Sequence, residues 1–321
     1  MKLVGTFSKL LGGCFLGTDV FVAGTVNCIL LWKLERPLSP SVAPCLVVEH
    51  EDGKVYSLRA ISPTQFLCAC DEGVAVWELD VSTEGHMSLN RVTLLRSVPK
   101  VGSLRTTEFN TSLYLPESNL VVGACGNGCL FGWDLDTGKM SFSLDAHEGA
   151  ILDLRIDGNR VVTGSTDGSI CFWDMEAQSK TRTLLPFGEA LANSLAVTCL
   201  DVHPEEELLA VGGDAPFLTL WDIRACARTS VLPTSSFAND VEFFNNKVVS
   251  TGNESRVSFW GLNGALLRDP ELPSPFGYAL CPEPYAEPSQ QASRLLAVTG
   301  LGRVDLIDKE LYSDTALTVS L

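Results

Sequence analysis

Hydrophobic residues along this chain recur in runs of four to six, some continuous and some alternating with polar residues, with Gly, Asn, Asp and Pro between the runs. Alternation predicts strands with one wet face, and continuous apolar runs predict strands buried on both faces. Turn signals such as Asp157-Gly158-Asn159, Asp167-Gly168, Asn245-Asn246 and Asn263-Gly264 separate them. His203-Pro204 followed by Glu205-Glu206-Glu207 reads as a solvated hairpin turn. No ten-residue stretch repeats apolar positions at helical spacing, so helix content is predicted to be small. The strands group into seven sets of four. Longer connections of shifted composition fall near residues 80–90, 96–106, 186–196 and 268–293. The last holds Pro270, Pro273, Pro275, Pro282, Pro284 and Pro288, which predicts loop rather than strand, because proline cannot donate to a ladder.

All six tryptophans close the same kind of run, as in Cys28-Ile29-Leu30-Leu31-Trp32, Ile170-Cys171-Phe172-Trp173 and Val257-Ser258-Phe259-Trp260. Trp32, Trp77, Trp133, Trp173, Trp221 and Trp260 are separated by 45, 56, 40, 48 and 39 residues. A seventh run, Gly302 to Ile307, puts Ile307 where the next tryptophan would fall, 47 residues on. A period near forty-five, with four strands per period, is the mark of a repeat architecture.

The best-preserved copy runs from Ala146-His147-Glu148-Gly149 through Val162-Thr163-Gly164-Ser165-Thr166-Asp167-Gly168 to Phe172-Trp173-Asp174. It resembles the WD-repeat family, whose repeats run from a Gly-His-like pair to a Trp-Asp pair. The resemblance implies an all-β, seven-bladed WD-repeat β-propeller, with one four-stranded blade per repeat. The whole chain, 1–321, is then a single propeller with blades at about 1–50, 51–96, 107–146, 147–186, 195–233, 236–272 and 275–321. The family's structural tetrad maps onto His147, a hydroxyl at Thr163 or Ser165, Asp167 and Trp173. Elsewhere the match is partial. Trp133-Asp134 and Trp221-Asp222 keep the dipeptide, whereas Trp32-Lys33, Trp77-Glu78 and Trp260-Gly261 have lost the acid. Only His50, 27 residues before Trp77, nearly repeats the 26-residue spacing from His147 to Trp173.

Chemistry-bearing constellations are absent from the sequence. Eleven cysteines, with no Cys-x-x-Cys pair, lie mostly inside strand runs, where a thiol behaves as a small apolar residue. The four histidines, His50, His86, His147 and His203, fall in different repeats, so no metal site is expected. Gly126-Asn127-Gly128 and Gly300-Leu301-Gly302 precede strands rather than helices, which makes them turns and not phosphate cradles. His147 and Asp167 could be drawn as part of a catalytic triad, but a buried prop for Trp173 accounts for them with fewer assumptions. We therefore expect no catalytic residues and no cofactor. Leu11-Gly12-Gly13-Cys14 resembles a lipoprotein cleavage site only faintly: Lys9 interrupts the apolar run, and Thr6 to Leu10 is wanted as a strand. No run reaches membrane-spanning length, and the chain is read as soluble and intracellular. With 23 Lys plus Arg against 39 Asp plus Glu, the net charge is −16. Such a surface repels phosphate backbones, so strong direct nucleic-acid binding is not expected.

A narrower resemblance is carried by residues outside the generic repeat. These are Gly53-Lys54-Val55-Tyr56-Ser57-Leu58 with Asp71-Glu72-Gly73-Val74-Ala75-Val76-Trp77, and Gly212-Gly213-Asp214-Ala215-Pro216-Phe217-Leu218-Thr219-Leu220-Trp221. The ending adds Asn263-Gly264-Ala265-Leu266, Arg303-Val304-Asp305-Leu306 and a last strand at Leu317 to Leu321. Their order resembles the THO subunit-six family, WD-repeat components of the nuclear machinery that couples transcription to messenger RNA export. The resemblance implies a non-enzymatic scaffold in the nucleus, with the cytoplasm as a further compartment, and other THO-complex subunits as partners. A second reading stays open. Trp221-Asp222-Ile223-Arg224 matches the Trp-Asp-x-Arg box associated with adaptor binding in substrate receptors of cullin-type ubiquitin ligases, and Trp221, Asp222 and Arg224 would then touch the adaptor.

Overall fold

The computed structural model describes residues 10–34, 43–97, 108–191, 194–272, 276–283, 296–300, 304–307 and 319–320. Their strands form seven four-stranded antiparallel sheets, each a meander of consecutive strands, spanning residues 12–49, 55–95, 109–145, 151–184, 197–233, 238–268 and 279–320. We number them blades 1 to 7. The other regular elements described are two single-turn 3-10 segments, Pro116–Ser118 and Glu189–Leu191.

Burial orders the strands within a blade. Second strands such as Val20–Gly24 and Leu120–Cys125 are apolar and buried along their whole length, while fourth strands such as Ser179–Leu184 and Leu266–Arg268 are mostly exposed. First strands pack against the first strands of the next blade all the way round, and Ala279–Pro282 of blade 7 packs on Gly12–Leu16 of blade 1. The blades thus make a closed ring with the first strands along its axis. At the junction the Leu10 N–H donates to the Gly300 carbonyl at 3.2 Å. No sheet among the described residues mixes strands from the two ends of the chain, so the first and last blades are held together by packing rather than by a shared sheet. Close approach there needs small residues: a Cβ on Gly13 would stand 3.3 Å from the Cys281 Sγ in blade 7.

The hydrophobic cores lie between blades rather than within them. Seven clusters of buried side chains occupy the seven interfaces, each shared by two neighbours. Every tryptophan sits on the third strand of its blade and points at the preceding blade. Trp173 packs with blade 3, Trp133 with blade 2, and Trp32 with blade 7 across the closure. Ile307 takes the same place between blades 6 and 7. Register agrees: in six blades the tryptophan pairs with the second residue of the second strand, as in Phe21↔Trp32 and Val161↔Trp173, and Ile307 pairs with Leu296. In blades 2 to 6 the ladder to the fourth strand slips at the tryptophan, a bulge that turns the outer strand past the large ring.

Several sequence-based expectations are corrected. The segment 80–90 is not a loop: strands Gly73–Val81 and Met87–Leu95 pair through it, leaving only 82–86 as the tip. The cause is alternation, because Leu79↔Leu89 and Val81↔Met87 face each other as cross-strand pairs. The proline-rich 268–293 segment contains the first strand of blade 7, Ala279–Pro282, with Pro282 at its last position, where a missing N–H disturbs the ladder least. The first described strand begins at Gly12; of the strand expected from Thr6 to Leu10, Leu10 is described but is not in a strand, and residues 6–9 lie outside the described residues. Of the last strand expected at Leu317 to Leu321, the Val319–Ser320 backbone pairs with Asp305 and Leu306, and the rest lies outside the described residues. So do 98–106, 192–193, 273–275, 284–293, Leu301 and Gly302.

Trp173 is 4% exposed in the core shared by blades 3 and 4. We expect Trp173→Ala to lower the free energy of unfolding by roughly 3–5 kcal/mol, through lost burial and the cavity left behind. Chemical denaturation checks this, and a midpoint equal to that of the parent chain would rule out the interface role.

Candidate functional site

Blade 4 brings His147, Thr163, Asp167 and Trp173 together. The His147 Nδ1 lies 2.9 Å from Asp167 Oδ2 and its Nε2 lies 2.6 Å from Thr163 Oγ1, to which the Trp173 indole N–H donates at 3.1 Å. Thr163, rather than Ser165, supplies the hydroxyl; the Ser165 Oγ accepts the Asp167 N–H at 3.1 Å. Burial works against a charge on the imidazole, but hydrogen bonds to Asp167 and Cys171 outweigh it and carry His147 up to about 9. Asp167 is buried too, yet His147 and Ser169 hold its carboxyl well below the usual range. Both ring nitrogens are occupied and the side chain is 1% exposed, so the ring is not presented to a substrate.

The other blades show what each tetrad position contributes. Position 163 corresponds by register to Ser250 in blade 6, where the Trp260 indole donates to Ser250 Oγ at 3.2 Å. In blade 2 the corresponding residue is Cys68, and there the Trp77 indole nitrogen and both His50 nitrogens have no partner. His50 instead meets Trp77 edge to face at 6.2 Å. The acid after tryptophan has a separate task. Asp134, Asp174 and Asp222 accept the N–H three residues on, from Thr137, Ala177 and Ala225, at 2.8, 2.9 and 2.7 Å, which clamps the turn into the fourth strand. Blade 2 has Glu78 there and a long ribbon in place of the tight turn. In the Trp221-Asp222-Ile223-Arg224 box, the Trp221 indole donates to Thr219 at 3.0 Å and Asp222 clamps its turn. Arg224 is 82% exposed and ion-paired with Glu207. Glu205 and Glu206 face solvent, as their hairpin turn requires.

A family profile described as "WD domain, G-beta repeat" matches residues 138–174, the stretch that contains this tetrad. The chain is an all-β propeller that carries a WD repeat in blade 4. It is also similar to the THO complex subunit 6 homolog of Mus musculus, 28% identical over 272 residues, covering 81% of this chain and 77% of that protein. THO complex subunit 6 of Homo sapiens matches with the same identity and coverage. The protein of that name from Arabidopsis thaliana is 26% identical over 241 residues, covering 70% of this chain and 65% of its own.

The propeller's axis carries a cluster that reading the sequence missed. First strands of blades 2, 4, 5 and 6 aim alternate residues at the axis, and these include Arg59, Asp153, Arg155, Asp201, Asp240 and Glu242. Arg155 is buried and donates to Asp153 at 2.6 Å, Asp201 at 3.0 Å and Glu242 at 2.7 Å, with Asp240 at 3.8 Å. Arg59 reaches across from blade 2 to within 3.6 Å of Asp153 and 3.7 Å of Glu242. The carboxylates also join blades through the backbone. Asp153 accepts the Leu200 N–H, Asp201 that of Phe243 and Asp240 that of Leu280, at 3.0, 2.7 and 2.8 Å. The signal was present as charged residues at every second position of apolar strands, in Asp153-Leu154-Arg155 and Asp240-Val241-Glu242. Without the ring there was no reason to place them at one point.

All eleven cysteines are free thiols, and eight are buried; burial pushes Cys14 up to about 12. Among the described residues no helix is long and apolar enough to cross a membrane.

Burial, reinforced by the charge of Glu242, pushes Asp240 up to about 7; burial pushes Glu242 up to about 8 against the opposing Arg155. Both acids therefore hold protons in the folded chain that the unfolded chain has already lost above about pH 4. Their contribution is complete below the unfolded carboxylate pKa and is lost as pH rises through 7 and 8. We expect unfolding free energy to fall by at least about 1 kcal/mol between about pH 5 and pH 8.5 on this account. Glu242→Gln should flatten that slope, as measured by urea titrations across the range; an identical slope in the variant would refute the assignment.

Proposed function

We propose that this chain, acting as one propeller over residues 1–321, is a non-enzymatic scaffold subunit of a nuclear THO/TREX-type complex that couples transcription and mRNA processing to mRNA export. The observation that carries the reading is the similarity to THO complex subunit 6 across four-fifths of the chain. The geometry is in keeping with it. Within the tetrad of His147, Thr163, Asp167 and Trp173, the indole packs against blade 3 and the imidazole is occupied at both nitrogens. The ribbon of blade 2, residues 73–95, projects two nine-residue strands, with Val81 56% exposed near the tip. Protein partners would engage the outer end of this ribbon, residues 80–90, and the 268–293 region, since segments set on a rigid frame are the ones free to carry contacts.

One observation favours a second reading. Arg224 is the member of the Trp221-Asp222-Ile223-Arg224 box that stands in solvent, where an adaptor of a cullin-type ligase could reach it. Trp221 and Asp222 have structural partners of their own, which leaves this reading with a single exposed residue, itself paired with Glu207.

Purification of the tagged full chain from nuclear extract, followed by mass spectrometry, separates the two. THO subunits are the expected companions, and cullin adaptors in their place would replace the first reading with the second. The isolated chain, at net −16, should bind single-stranded RNA no more tightly than non-specific proteins do at about 150 mM salt. Sub-micromolar affinity in that titration would contradict a role confined to protein contacts.

A further inference from the structure

At one mouth of the axial channel lies a cavity of about 130 Å³. Its rim is built from the residues at which the first strands bulge, among them Tyr56, Asn110, Leu152, Thr198 and Asn239. The polar side chains of this rim are largely engaged with the next blade. Asn110 donates to the Ile151 carbonyl at 2.8 Å, Thr198 to that of Ala238 at 2.8 Å, and Asn239 to that of Gly277 at 2.9 Å. The floor is different. Asp153 and Asp240 line it beside Arg59, and so does Thr111, which is 2% exposed and whose hydroxyl has no hydrogen-bond partner. A buried hydroxyl left unpaired is costly, and such exceptions ask for an explanation.

Charge points the same way. Around the axis four carboxylates, Asp153, Asp201, Asp240 and Glu242, face two guanidiniums, Arg59 and Arg155. With Glu242 holding its proton at neutral pH, three carboxylates face two guanidiniums, and the cluster is one positive charge short once Asp240 ionises. The missing group must be cationic, must offer hydrogen bonds to a hydroxyl and two carboxylates at once, and must be small. An apolar cavity of roughly 150 Å³ holds a benzene-sized molecule, so this one takes a single side chain and not a folded loop. An ammonium is compact and carries three donors, whereas a guanidinium is a broad, flat fork. The rings of Tyr56 and Tyr278 and the side chain of Leu152 line the approach and suit the methylenes of an alkyl stem.

We propose that the channel mouth is a receptor for a lysine side chain of a partner protein, its ammonium meeting the Thr111 hydroxyl and the Asp153 and Asp240 carboxylates. The proposal rests on the scaffold reading in that it requires a protein partner, and it names the chemistry by which one partner is held.

The test uses the intact chain and short capped peptides whose central residue is lysine, Nε-acetyllysine or norleucine, titrated by calorimetry. The lysine peptide should bind at least about tenfold more tightly than either neutral one. Thr111→Val keeps the shape and should weaken it by about threefold or more, and Asp240→Asn by about tenfold, these two polar contacts being the ones removed. Glu254→Gln, on the outer surface, should leave it unchanged. Equal binding of the three peptides, no binding of any, or undiminished affinity in a folded Thr111→Val variant would each overturn the proposal. Tighter binding of free spermidine than of the lysine peptide would overturn it too, in favour of a small amine. Failure of the scaffold reading looks different: the lysine peptide still binds, but the chain does not co-purify with THO subunits.

Discussion

Each blade presents apolar residues on both faces of its sheet, and a four-stranded sheet of that kind cannot stay in water alone. Val20–Gly24 and Leu120–Cys125 are buried at every position, so neither face of blade 1 or blade 3 has a wet side. The solution is a stack that returns to its start, in which every face is covered by a neighbour and no face is left over. Seven interfaces result, and each receives one large side chain from the third strand of the blade that follows: six tryptophans and Ile307. The repeat period in the sequence is the trace of this one requirement. It also explains why the chain tolerates degenerate tetrads. The ring of Trp77 fills the interface between blades 1 and 2 whether or not its indole N–H finds a hydroxyl.

Polar groups then refine what packing holds. Asp153, Asp201 and Asp240 each give a carboxylate oxygen to a backbone N–H of the next blade, which fixes adjacent first strands along the axis. The cost is carboxylates gathered at the centre, and Arg155 offsets part of it by donating to three of them. Removing that guanidinium would leave buried charge without a counterpart, the situation in which a buried ion pair matters most. The residual excess of acid is a property of the assembled ring, not of any single repeat.

What could be read from the sequence, and what could not, follows the range of the interactions. Tryptophan spacing, strand runs and the turn residues around Asp167 and Gly168 are local, so the fold class and the His147–Asp167–Trp173 constellation were legible one repeat at a time. The choice between Thr163 and Ser165 needed the register of two strands. The ribbon at 80–90 was misread because Val81, His86 and Met87 flank a polar tip, and a hairpin paired past its neighbours looks like loop until Leu79 and Leu89 are seen opposite one another. In 268–293, proline density hid Ala279–Pro282, four residues whose strand state is imposed by the first strands of blades 1 and 6 on either side. The axial cluster joins residues as far apart as Arg59 and Glu242, and no local pattern can report a meeting created by ring closure.

This division of labour bears on how such a protein can serve as a scaffold. Interactions that hold the ring lie between blades or along the axis, while the fourth strands contribute little to them: Leu266 and Leu267 in blade 6 and Val231 in blade 5 are about half exposed. Outer strands and connecting loops are therefore free to differ without loosening the core, as the blade 2 ribbon already does by extending two strands beyond their neighbours. Contacts made at separate blades are held at fixed separations by a frame whose cores are close-packed, and such interiors transmit displacement rather than absorb it. A frame built this way fixes geometry: it sets the distance and orientation between one blade edge and another. The axial channel is where the blades meet one another's polar groups: Thr111, Asp153 and Asp240, from blades 3, 4 and 6, line a single cavity there.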